Sequence, residues 1–291
     1  MHSSTNIPNN HQWLEVLQPH QSLFDVPLSE VWQKRYLMLM FVKRDFAANY
    51  KQTILGPLWF FIQPLLTSIT FFLIFNKVGG ISTGKVPQIL FYLAGLSCWN
   101  YFAETINRTS TVFKDNANLF GKVYFPRLII PLSIVLSNLL RFGIQFFLFL
   151  IVLFYYWWQQ PLVIQPNAYM LLTPYLLLLM AGFGIGLGMI ISSLTTKYRD
   201  LVFLVSFGVQ LLMYATPVIY SLSLPTIPTS YRTVLWYNPL APILETFRFA
   251  YLGQGMFSWA MLLYSSCWMI LLLTVGILIF NKVEKRFMDT I

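Results

Sequence analysis

The sequence predicts an all-α membrane protein, and three observations predict it. Hydrophobic residues make up 57% of the chain and charged residues 10%, with a mean hydropathy of +0.62. A soluble domain has about 45–50% and about 25%. The apolar residues run in blocks long enough to cross a hydrocarbon core of about 30 Å, which takes about 20 helical residues. The basic residues crowd one side of those blocks, as short cytoplasmic segments do.

Six blocks meet the length, at 53–75, 88–112, 128–156, 169–194, 201–222 and 259–280. Six transmembrane helices are therefore expected over 53–280. Residues 1–28 form a polar tail broken by Pro8, Pro19 and Pro27, with no basic start leading into an apolar run, so no cleaved leader is predicted. Over 29–52, Trp32, Tyr36, Leu39, Val42, Phe46 and Tyr50 recur at three- and four-residue steps beside Lys34, Lys43 and Arg44. That pattern predicts an amphipathic helix at the membrane interface, either a plain anchor or a surface for a cytoplasmic partner. Segment 223–258 contains Pro225, Pro228, Pro239 and Pro242 and then an apolar-aromatic run. A lipid-exposed coil would leave its backbone groups unsatisfied, so helices or protein cover are required, and two short helices re-entering the outer leaflet fit. Residues 281–291 form a short C-terminal tail.

With the N-terminus inside, thirteen of the nineteen Lys and Arg residues fall on the cytoplasmic side. Four fall outside (Lys77, Lys85, Arg232 and Arg248) and two within spans (Arg108 and Arg141). Both termini are expected in the cytoplasm. The net charge of +9 is accounted for by basic residues at membrane ends, where anionic lipid attracts them, and nucleic acid is not implied.

Catalytic and metal motifs do not survive inspection. Gly79, Gly84 and Lys85 match the spacing of a phosphate-binding loop, but Val86 stands where Ser or Thr must hold magnesium, and the segment lies in a short external loop. His2, His11 and His20 are nine apart in the polar tail, not at ligand spacing. Cys98 and Cys267 lie in apolar blocks and suggest neither a disulfide framework nor a metal site. Asn107-Arg108-Thr109 matches a glycosylation acceptor but falls within a span.

Charges inside spans mark a pairing or a pathway. Glu104 and Arg108 share a helix face at four-residue spacing, and Arg141 of the third span lies at similar depth, so a salt bridge among them is expected. The alternative is that Arg141 receives an anionic headgroup from the inner leaflet. Gly182, Gly184, Gly186 and Gly188 form overlapping small-xxx-small pairs that predict close helix packing. Tyr155, Tyr156, Trp157, Trp158, Trp236, Tyr237 and Trp259 suit interfacial belts. Phe203, Phe207, Gln210 and Tyr214 instead fall on one face of the fifth span, and Tyr92 and Trp99 make a seven-residue pair in the second. Sugars offer C–H faces to aromatic rings and hydroxyls to amides, so these six residues and Arg141 are candidates for a carbohydrate path, with ordinary helix packing as the alternative.

The chain resembles the permease subunits of ABC transporters that export bacterial surface polysaccharides. The resemblance runs from about Trp32 onward and rests on four blocks in order. They are Val42-Lys43-Arg44-Asp45-Phe46 with Tyr50-Lys51-Gln52-Thr53-Ile54-Leu55-Gly56-Pro57-Leu58-Trp59 and Gln63-Pro64; Lys122-Val123-Tyr124-Phe125-Pro126-Arg127; Tyr198-Arg199-Asp200; and Asn238-Pro239 with Glu245-Thr246-Phe247-Arg248. It implies a homodimer of six-span subunits in the bacterial cytoplasmic membrane, bound to two copies of a separate ATPase. The cargo it implies is a lipid-linked glycan such as O-antigen, capsule or teichoic acid. ATP and magnesium would be bound by the partner, with no cofactor or catalytic residue in this chain. The family's inner loops and N-terminal helix contact the ATPase, and the loops make Phe120, Lys122, Tyr124, Phe125, Arg127, Tyr198, Arg199 and Asp200 coupling candidates. Tyr124 and Phe125 could alternatively anchor the third span at the membrane surface. The outer segment forms gate helices, which assigns Asn238, Pro239, Glu245 and Arg248 to the gate. A drug or small-lipid exporter would share this architecture. An integral-membrane glycosyltransferase would need acidic or His residues at a membrane face, where Asp45 and Asp115 stand isolated.

Overall fold

The computed structural model describes residues 28–50, 55–80, 84–120, 122, 125–198, 200–223 and 228–288, and among them every regular element is a helix. Helices α1 (Leu28–Gln33) and α2 (Arg35–Tyr50) nearly form one rod, because Lys34 N–H donates to the Glu30 carbonyl and Leu37 N–H to the Lys34 carbonyl, both at 2.9 Å. Apolar residues are spread around α2 rather than gathered on one side. Val31, Phe41 and Val42 are buried, whereas Trp32 and Tyr36 remain 70% exposed. The single apolar face expected over 29–52 is thus split in two, with Val42 turned into the protein and Trp32, Tyr36 and Leu39 turned out. A helix apolar on two sides can pack against its own chain and still offer a membrane-facing stripe.

Helix α3 (Trp59–Phe71) carries Pro64 inside it and ends in wider π-type turns over Phe72–Val78. Helix α4 (Gln88–Thr109) is the central element, with every residue from Leu90 to Trp99 buried. Two single-turn helices follow, α5 (Val112–Asp115) and α6 (Ala117–Phe120). Helix α7 (Ile129–Gln159) has 31 residues, about 46 Å at 1.5 Å per residue, more than a bilayer core requires.

Helix α8 (Thr173–Thr195) packs between α4 and the last helix, α12 (Trp259–Met288). Its glycines serve both neighbours. A Cβ on Gly182 or Gly186 would meet Met269 or the Leu272 backbone of α12, and a Cβ on Gly184 or Gly188 would meet Thr105 or Thr109 of α4. Residues four apart share a face, so two interleaved pairs give two close helix contacts. Helix α9 (Leu201–Ala215) stops seven residues short of the expected boundary at 222. Pro217 disfavours helical backbone at Thr216, which is extended at φ −113°, ψ 143°. Helices α10 (Thr229–Trp236) and α11 (Ala241–Leu252) occupy the segment before α12, and α11 is buried from Ala241 through Arg248.

Among the described residues, four helical stretches are long and apolar enough to cross a membrane: Trp59–Val78, Ile129–Gln159, Ala168–Thr195 and Trp259–Val283. Helix α9 is shorter, and α4 is made less apolar by Asn100, Glu104, Asn107 and Arg108. The described residues thus form helices only, as befits a multi-pass membrane protein.

Candidate functional site

The aromatic stripe of α9 lies on the surface of the chain. Phe203 is 80% exposed, Phe207 60% and Tyr214 48%, and Gln210 is exposed among them. In a membrane-spanning helix a face of this kind is open to lipid, to a second copy or to a cargo, as are the outward faces of α7 and α12. Tyr92 and Trp99 do not join it. Tyr92 is wholly buried against Phe71 and Phe91, with ring centroids at 6.0 and 5.7 Å, and Trp99 packs on Phe102 at 5.2 Å. The seven-residue spacing put these two on one face of α4, but that face turns into the protein because α4 is surrounded by other helices.

The intramembrane charges divide between two partners. Arg141 Nη1 lies 3.5 Å from Glu104 Oε2, and Arg141 also sits 5.8 Å from the Phe60 ring. Arg108 does not turn back to Glu104; its Nη2 donates to Asp45 Oδ2 at 3.1 Å, tying α4 to α2. One turn further along, Asn100 Nδ2 donates to Gln145 Oε1 at 3.5 Å. Asn100 and Gln145 lie four residues from Glu104 and Arg141, and that spacing was the available signal for them.

On the other side of the spans, Asn238, Glu245 and Arg248 converge on the unwound stretch after α9, and Pro239 is tied to α12. Asn238 Nδ2 donates to the Ala215 carbonyl at 3.1 Å and to Thr216 Oγ1 at 3.0 Å, and the Pro239 carbonyl accepts from Ser265 Oγ at 2.7 Å. Arg248 is fully buried and donates to the carbonyls of Pro217, Val218 and, at 3.1 Å, Tyr220. Its guanidinium lies 3.8 Å from the Phe91 ring centroid. Glu245, equally buried, pairs with Arg248 at 3.5 Å and accepts from the backbone N–H groups of Leu222 and Met256 at 3.3 and 3.1 Å. Three carbonyls of the irregular stretch that follows α9 are satisfied by one side chain. This answers the cost of irregular backbone inside a membrane protein. A Cβ on Gly95 would lie 2.5 Å from Arg248 Nη2, so α4 must be glycine there.

At the opposite end the segment after α4 and the end of α8 are adjacent, since Thr195 Oγ1 donates to the Ser110 carbonyl at 2.9 Å and Phe113 N–H to Ser192 Oγ at 3.4 Å. Phe120 and Phe125 face inward, 7% and 6% exposed, and Arg127 stacks over Phe120 at 4.7 Å. Phe113 stacks on Phe280 of α12 at 4.5 Å. The aromatic groups of the first loop therefore form an internal cluster, while Lys122, Tyr198 and Asp200 are exposed. Tyr124 and Arg199 lie outside the described residues. Among the described residues no cluster of three metal-ligating side chains occurs.

The chain is similar along most of its length to known proteins. Two proteins of Klebsiella pneumoniae, both called O-antigen export system permease protein RfbA, are each 30% identical to it, over 255 and 261 residues, covering 87% of this chain and 94% of theirs. The protein of that name from Myxococcus xanthus is 28% identical over 219 residues, covering 75% of this chain and 81% of its own. Residues 36–252 match the family model for ABC-2 type transporters, and this chain belongs to that family.

Proposed function

We propose that this chain is the transmembrane subunit of an ABC transporter that exports a lipid-linked polysaccharide, with O-antigen the best-supported cargo. The observation that carries the reading is the exposed α9 stripe of Phe203, Phe207, Gln210 and Tyr214 in a chain that matches O-antigen export permeases over 87% of its length. Rings set one to two turns apart, with an amide between them, offer a sugar chain repeated stacking contacts of modest strength. A polymer must slide, and many weak contacts permit sliding where one tight site would arrest it.

The finer assembly follows from the same reading. Two copies face each other across the α9 stripes to enclose the conduit, α4 and α9 complete six spans, and both termini lie in the cytoplasm of a bacterial inner membrane. The Asn238, Pro239, Glu245 and Arg248 cluster holds α10 and α11 to the broken end of α9 as an outer gate. The drive comes from two copies of an ATPase docked on the paired inner loops. Phe113 and Phe280 link that docking site to α12. The test is removal of the gene from its host. Surface O-antigen should disappear while lipid-linked glycan accumulates inside; glycan still reaching the surface, or none being made, would refute the assignment.

A further inference from the structure

A polar cavity of about 260 Å³ lies where α2, the end of α4, the α5–α6 turns and the start of α7 meet. A single water needs only about 10–15 Å³. The cavity belongs to neither the α9 stripe nor the outer cluster. At its wall Asp45 holds two guanidinium groups side by side. Its Oδ1 accepts from Arg44 Nη2 at 3.2 Å and Nε at 3.4 Å, and its Oδ2 accepts from Arg108 Nη2 at 3.1 Å. Each arginine keeps one terminal nitrogen, Nη1, outside this arrangement, and Arg108 Nη1 is buried with no hydrogen-bond partner. A desolvated, charged N–H without an acceptor is costly, and paired guanidiniums match the oxygens of a phosphate. Asp115 also lines the cavity. Two arginines against two aspartates leave the lining formally neutral. Asp115 is exposed at the edge of the cavity; a headgroup carrying a net negative charge would set that charge beside it, whereas one carrying both a phosphodiester and an ammonium would set the ammonium against it. Leu119, Ile130 and Ile134 supply an apolar wall suited to the glycerol and first methylenes.

We propose that this cavity binds the headgroup of a resident zwitterionic phospholipid, its phosphate on Arg44 and Arg108 and its ammonium on Asp115. The bound lipid would then tie the interfacial helix to the coupling turns. Its position at the inner leaflet rests on the orientation given under the proposed function; its chemistry does not.

The test uses the transporter complex purified with its ATPase, stripped of lipid and offered phosphatidylethanolamine, phosphatidylglycerol or inorganic phosphate. Retained lipid is read by native mass spectrometry and thermal unfolding. Wild type should retain phosphatidylethanolamine about tenfold better than phosphatidylglycerol, and Arg108→Gln should lose about tenfold, the effect of one charge-assisted bond. Asp115→Asn should keep phospholipid but lose the preference between the two. Should Arg108→Gln fail to insert, Arg44→Gln, whose side chain is 51% exposed, gives the same reading. Equal retention of both lipids by wild type, or no loss in either arginine variant, overturns the proposal. Protection by inorganic phosphate as good as that by lipid also overturns it, because the occupant is then a free anion. ATP-driven export measured on the same preparation keeps the two readings apart: export without headgroup preference refutes only the lipid site, and lipid retention without export refutes only the transport assignment.

Discussion

Gly95→Ala is the smallest change that challenges the cluster around Arg248. The added Cβ would stand 2.5 Å from Arg248 Nη2 and 2.8 Å from the Val218 carbonyl oxygen. Comfortable non-bonded contact begins at about 3.5 Å, so roughly 1 Å of movement is required. Neither neighbour can retreat alone, because Arg248 Nη2 donates to that same carbonyl. Overpacking a tight site costs about 1–3 kcal/mol. Displacing a buried guanidinium from its acceptors moves toward the about 3–5 kcal/mol of a broken buried pair. The expected loss is therefore about 3 kcal/mol. The assay is thermal unfolding of the purified complex against Gly143→Ala, where a Cβ meets nothing within 4 Å and the α7 helix should gain slightly. Equal stability of Gly95→Ala and Gly143→Ala would refute the claim that Arg248 is pinned under α4.

Three further outcomes follow. Arg248→Met or Glu245→Gln alone should each cost about 3–5 kcal/mol, while the double variant should cost clearly less than their sum, because the remaining partner is no longer a stranded charge; additive losses in a double-mutant cycle would contradict the pairing. Phe207→Ala and Tyr214→Ala should leave stability within about 0.5 kcal/mol, as exposed positions do, while slowing export; Trp99→Ala should instead destabilise by about 3–5 kcal/mol, and a stable Trp99→Ala that blocks export would return Trp99 to the cargo path. In a variant lacking Cys98 and Cys267, Lys85→Cys should react with an impermeant thiol reagent applied from outside and Lys197→Cys should not, with the opposite pattern reversing the orientation.

Much of the fold was legible because each membrane-crossing helix must bury its backbone bonds within one long apolar run, and the runs at 128–156, 169–194 and 259–280 left little choice. The end of α9 was less legible. An apolar count carried the span to 222, whereas Pro217 and the polar neighbours Thr216 and Ser221 already signalled that the helix stops and the carbonyls after it need outside donors. Sequence placed Arg248 on the outer side, but no periodicity says that a residue thirty positions downstream supplies those donors. Tyr92 and Trp99 show the limit in another form: spacing assigns residues to a shared face and is silent about what the face meets. Arg108 obeyed the spacing that allows it to reach Glu104, yet Asp45, brought in from α2, takes it. The aromatic residues Phe120 and Phe125 looked like anchors for a partner because they stand among charges in sequence. The structure spends them on an internal cluster with Phe41, Phe113 and Arg127.

On the proposed function, this chain carries a polysaccharide across the membrane on energy supplied by another subunit. The most direct test is glycan movement into inside-out vesicles loaded with lipid-linked O-antigen on the outer surface, with this chain and its ATPase supplied together or singly. Protected glycan should appear only when both proteins and ATP are present, and none with this chain alone at any ATP concentration. Glycan sequestered without the ATPase, or sequestered equally well when this chain is omitted, would contradict the proposed function.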